Sequence, residues 1–134
     1  MYYLKYSGES IGSSHLENGD PEINSVSGGF TNVGGPGTLA KWLKHLGGKE
    51  ENGTAYFVLN EHFSLTTLED QEINYSEATL IAIPESSEAY LDVTGIPEDD
   101  YKTYFPKHIA ELENVAPEPS LQDRIKALKN KNIV

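Results

Sequence analysis

The sequence predicts an α+β fold, an antiparallel sheet with helices packed on it, in a single domain. Three observations carry that expectation. Short alternating or apolar runs bounded by turn chemistry recur along the chain, one clear amphipathic helix lies among them at residues 38–46, and two helix starts follow the last such run. A chain of 134 residues fits one domain. Area scaling gives roughly 7,000 Å² folded against about 21,000 Å² unfolded, enough burial for an ordinary core.

In order, Tyr2-Tyr3-Leu4-Lys5-Tyr6 alternates, Ser7-Gly8-Glu9-Ser10 reads as a turn, and Ile11 to Leu16 resumes an extended pattern. Residues 2–17 therefore read as a β-hairpin. Asn18-Gly19-Asp20-Pro21 is expected to break it, and Ser25 to Phe30 to form a third strand. A glycine-rich stretch with Gly28, Gly29, Gly34, Gly35 and Gly37 leads into the helix. Thr38 is placed to cap it, and Gly47-Gly48 to stop it. Leu39, Trp42, Leu43 and Leu46 recur at i, i+3, i+4 and i+7, which predicts a buried face. Lys44 and His45 sit towards its C-terminus, as the helix dipole favours.

Thr54 to Leu59, Thr79 to Ile83 and Ala89 to Val93 read as strands, whereas Asn60 to Ser76 shows no dominant period. Pro97-Glu98-Asp99-Asp100 starts a helix that ends or kinks at Phe105, ahead of Pro106, and a second helical segment carries Ile109 and Leu112. Pro117-Glu118-Pro119 is a stiff spacer before a basic stripe with Leu121, Ile125 and Leu128. The expected organisation is a compact α+β domain over 1–116 and a Pro-bounded basic helix over 117–134 docked on it.

Composition narrows the function classes. The chain has no cysteine, which removes disulfides, thiolate metal sites and thiol nucleophiles. The N-terminal stretch lacks a basic then apolar leader pattern, and no apolar run reaches the ~18 residues of a membrane helix. A cytoplasmic protein is expected, with no membrane partner and no cofactor. Net charge is −11. Setting aside Glu118, Asp123, Arg124, Lys126, Lys129 and Lys131 leaves −13 on residues 1–116. Such a body repels nucleic acid and anionic membranes and attracts basic partners.

Ile11-Gly12-Ser13-Ser14-His15-Leu16-Glu17 with Gly19-Asp20-Pro21 is similar to an N-terminal pattern in a group of small uncharacterised bacterial proteins. Asp100-Tyr101 through Tyr104-Phe105-Pro106-Lys107-His108-Ile109, with Glu113, resembles a later segment of the same group. The two stretches cover about a quarter of the chain. Glu22-Ile23 stands where that group has a methionine after Asp-Pro. The resemblance implies a bacterial stand-alone protein and no particular activity.

No stretch specifies a reaction. The glycine-rich loop lacks a following Gly-Lys-Ser/Thr or the GxGxxG spacing, so it reads as a connection, not a phosphate site. Ser13 and Ser14 beside His15 would face opposite ways on a strand, and no Gly-x-Ser-x-Gly elbow is present. A divalent-metal site could draw on His15, Glu17 and Asp20, or on His108 and Glu111, without the His-x-x-x-His spacing of a zincin. His62 is a further candidate, and His45 sits beside Lys44 on the outer helix face. If the acidic charge serves a partner, the candidate contact acids are Glu69, Asp70 and Glu72, then Glu98, Asp99 and Asp100, each set clustered in sequence.

The leading expectation is an acidic protein-binding module of inhibitor or immunity type that acts on a basic partner, such as a nuclease toxin. The reading leans away from an enzyme. The alternatives are an enzyme with a His/carboxylate metal site and a phage-derived or structural protein that assembles through a sheet edge.

Overall fold

A computed structural model describes residues 1–115. The expected helix over 117–134 lies outside the described residues.

The elements are β1 (Tyr2–Tyr6), β2 (Glu9–Ser14), β3 (Asn18–Asp20), β4 (Ser25–Thr31), α1 (Gly35–His45), β5 (Lys49–Glu51), β6 (Thr54–Val58), β7 (Phe63–Thr67), β8 (Glu72–Ile73), β9 (Glu77–Ile83), β10 (Glu88–Thr94), α2 (Glu98–Tyr104) and α3 (Pro106–Val115). All strand pairings are antiparallel. The ladder runs β5-β6-β9-β10-β4-β2-β1-β7-β8, with β3 also on β4. An antiparallel sheet with a few helices is thus the architecture, and it is richer in sheet than the sequence suggested.

A hairpin is present as β1 and β2, but over residues 2–14 rather than 2–17. Glu9 and Ser10, expected in the turn, already pair with Tyr6 and Lys5, and Leu16 lies beyond the strand. Ser25–Thr31 is the expected third strand. Asn18 to Asp20 differs from expectation. It does not break the sheet but rejoins it, pairing with Ser25 to Ser27 on the edge of β4 that Ser13 and Ser14 also use. Leu16 in the left-handed region (φ 45°) makes the kink between the two halves. The break comes one residue later, at Pro21, which opens a single-turn 3-10 helix. The stretch with no period, Asn60 to Ser76, contributes β7 and β8; β7 buries Leu65, Thr66 and Thr67 in succession and β8 is two residues long, so neither presents an alternation to read.

Five strands separate β6 from β7 along the ladder, yet Phe57 and Phe63 bring their ring centroids within 6.0 Å. The twisted sheet therefore curls back on itself. Helix α1 lies on its concave side, burying Leu39 and Leu43. Trp42 and Leu46 are only half-buried, so the helix face is narrower than its periodicity implied. Trp42 instead meets Tyr6 and Phe63 edge-on at 5.2 and 5.9 Å, bridging α1 to β1 and β7.

Helix α1 begins earlier than expected. Gly34 (φ 92°) is its N-cap, Pro36 sits in the first turn, and Thr38 makes no capping hydrogen bond. Its end follows expectation: Gly47 (φ 103°) donates to the Lys44 carbonyl and Gly48 to the Leu43 carbonyl, a Schellman ending. Phe105 separates α2 from α3 as Pro106 requires. Tyr101 and Phe105 close the core on this side, and the Tyr101 hydroxyl donates to the Ser25 carbonyl at 2.9 Å.

Candidate functional site

Two surface regions gather the candidate residues, and both depend on where α2 and α3 dock.

The first is an acidic end formed by β8, the segment after it and α2. The backbone and side-chain N–H groups of Asn74 both donate to Asp100 Oδ2, at 3.3 and 3.1 Å. This ties the start of α2 to the Glu72–Asn74 segment, so Asp100 stands beside β8 across a gap of 26 residues in sequence. Glu72, Glu98 and Asp99 are exposed, and Asp100 is half-buried. Glu98 also pairs with Lys102 at 3.3 Å across one helical turn. Glu69 and Asp70 sit at the β7–β8 turn, where Lys5 takes Asp70 in an ion pair, which removes part of their charge from the field.

A shallow cleft of about 320 Å³ opens here, lined by Glu61, Phe63, Glu72, Asn74 and Tyr75 among others. Burial first, and then the charge of Glu72, raise the Tyr75 phenol above its ordinary value of 10.0. Glu61 belongs to this region, and sequence reasoning missed it because the surrounding stretch has no legible period.

The second region is a cleft of about 460 Å³ between the Leu16 kink and α3. It brings His15 and Glu17 together with His108 and Glu111, which lie some 90 residues away in sequence. Asp20 does not join them; its carboxylate accepts from the Glu22 N–H and caps the 3-10 turn. His15 and Glu17 are exposed, whereas His108 is buried. His108 packs parallel to the Phe105 ring at 6.0 Å and rests on Gly19, whose missing side chain makes room for it. Its Nε2–H donates to the Leu16 carbonyl at 2.9 Å. The kink is held from within by the Leu16 N–H on Ser14 Oγ at 3.0 Å and by the Gly29 N–H on Glu17 at 3.4 Å. Gly28 is required beneath it, because a Cβ there would collide with Glu17, Leu16 and Ser14.

Among the described residues, no group of three His, Asp or Glu side chains is placed to hold a metal ion. His62 packs beside the Tyr6 ring at 6.0 Å and does not line the cleft that holds His15. His45 ends α1 on its exposed face. Among the described residues, no helix is long and apolar enough to cross a membrane.

Comparison of the chain with protein families, with curated proteins and with solved structures finds no match.

Proposed function

We propose that this protein is an acidic binding module that docks on a basic protein partner in the manner of an inhibitor or immunity protein, with the end around Glu72 and Asp100 as its contact surface. The observation that carries this reading is the pair of hydrogen bonds from Asn74 to Asp100, which joins two acidic segments that the sequence keeps apart. Charge supports it further. Residues 1–116 carry −13, and among the described residues three of the six lysines are engaged in ion pairs, as Lys5 with Asp70, Lys44 with Glu50 and Lys102 with Glu98. A surface of this sign accelerates encounter with a cationic face and repels anionic ones.

The test is a charge reversal. Wild-type protein is used to capture its partner from the native lysate, and association is then followed for the wild type and for Glu72→Lys/Glu98→Lys/Asp99→Lys. The expected outcome is a basic partner and an association rate lowered by about tenfold or more, with a smaller effect on dissociation. That difference shrinks as salt rises, since screening shortens from about 10 Å at 0.1 M to about 3 Å at 1 M. Equal association by both proteins, or a partner that contacts an apolar patch elsewhere, would reject the acidic end as the contact surface. Folding stability is expected to change little, because exposed charges contribute only about 0–1 kcal/mol each.

A further inference from the structure

The cleft at the Leu16 kink holds an arrangement that the acidic end does not explain. His108 is more than nine-tenths buried, and its Nε2 is committed to the Leu16 carbonyl. In a neutral imidazole, donation from Nε2 leaves Nδ1 a bare lone pair, which can only accept. Nδ1 faces Glu111 Oε1 at 3.6 Å, beyond hydrogen-bond reach, and a carboxylate also only accepts. With the ring neutral, two acceptors then stand side by side at the cleft, and among the described residues no N–H or O–H donates to either atom. Glu17 also lines the cleft from the kink, where its carboxylate accepts from the Gly29 N–H, and Tyr2 and Tyr104 complete the wall.

We propose that this cleft binds an organic cation, an ammonium or guanidinium group, whose N–H donors bridge His108 Nδ1 and the Glu111 carboxylate. The site goes beyond the acidic end, since it uses different elements and none of the residues reversed in that test. A group with several N–H donors satisfies both acceptors at once, and a charge-assisted bond to the carboxylate is the stronger of the two contacts. A metal ion suits the cleft less well, because among the described residues no three His, Asp or Glu side chains, Glu17 included, are grouped closely enough to hold one. Lys107 also lines the cleft and opposes a cation, which gives the proposal a second point of attack.

The experiment is an NMR titration of the full chain with N-acetyl-L-arginine N-methylamide, with agmatine, and with the neutral N-acetyl-L-citrulline N-methylamide. Saturable shifts at Leu16, Gly19 and His108 are expected with the two cations and not with citrulline. Tighter binding of agmatine assigns the site to a free small molecule. Tighter binding of the capped arginine assigns it to a side chain of a partner. Glu111→Gln, at an exposed helix position, should weaken binding by roughly tenfold, the scale of one charged hydrogen bond. Glu17→Gln should weaken it less, and Lys107→Ala should tighten it. Equal shifts with citrulline, indifference to Glu111→Gln, or weaker binding by Lys107→Ala would each overturn the proposal. So would an Nδ1–H resonance on His108 in the free protein at neutral pH, since the imidazolium itself would then satisfy Glu111.

Discussion

At the scale of single residues, this fold leans on polar groups placed where apolar ones would be simpler. Tyr101 is 2% exposed and its hydroxyl donates to the Ser25 carbonyl, so it anchors α2 to β4. Burial, and next the charge of Asp20, push its phenol from 10.0 up to about 12. A raised value means that the folded state holds the proton more tightly than the unfolded chain does. The stabilisation is therefore complete below pH 10 and is lost as pH rises towards about 12. Denaturant midpoints measured through that window should fall steeply for wild type. Tyr101→Phe should start lower, by about 1 kcal/mol for the lost hydrogen bond, and decline less. Parallel declines would show that another group governs alkaline unfolding. His108 was legible only in part. The sequence placed it one helical turn from Glu111, but a helix pattern carries no sign of the carbonyl it binds 92 residues away.

At the scale of elements, one turn is used twice. Pro21–Ile23 and Pro84–Ser86 are both single-turn 3-10 helices that open on Pro-Glu and close on a left-handed residue, Asn24 (φ 52°) and Ser87 (φ 56°). In each, that residue's N–H donates to the proline carbonyl. The two turns link the two halves of the β3–β4 and β9–β10 hairpins. Asn tolerates the left-handed region better than Ser does. Ser87→Asn should therefore raise stability, by about 0.5 kcal/mol, and a thermal melt is enough to see it. A lower melting temperature would mean that the Ser87 conformation is relieved by contacts that its side chain makes. The other element worth testing is α1. Its apolar stripe suggested a fully buried Trp42, for which Trp42→Ala would cost about 3–5 kcal/mol. Trp42 is half-buried and makes edge contacts with Tyr6 and Phe63, so a smaller loss of about 2–3 kcal/mol is expected in denaturant unfolding. A loss near zero would mean that neither contact persists in solution.

For the whole molecule, the dominant quantity is charge. A net −11 works against compactness through self-repulsion, so added salt should raise the melting temperature of the isolated protein until screening is complete. A melting temperature indifferent to salt would mean that the acids are already balanced locally. The sequence by itself determined the α+β class, the pairing of the first two strands as a hairpin, helix α1 and its glycine stop, and the break at Pro106. Each is a local choice, read from period, turn chemistry or the missing proline N–H. It also determined the sign of the surface, which depends only on composition. Tertiary structure alone decided the rest. The curl of the sheet follows from which strands pair, and that is set by long-range burial rather than by any short pattern. The return of Asn18–Asp20 to β4 depends on Leu16 adopting a left-handed backbone, which its residue type disfavours and which Ser14, Glu17, Gly28 and His108 hold in place around it. Both candidate sites arise in the same way, as α2 and α3 fold back and carry Asp100 to Asn74 and His108 to Leu16. Those contacts span 26 and 92 residues, distances over which sequence periodicity carries no information.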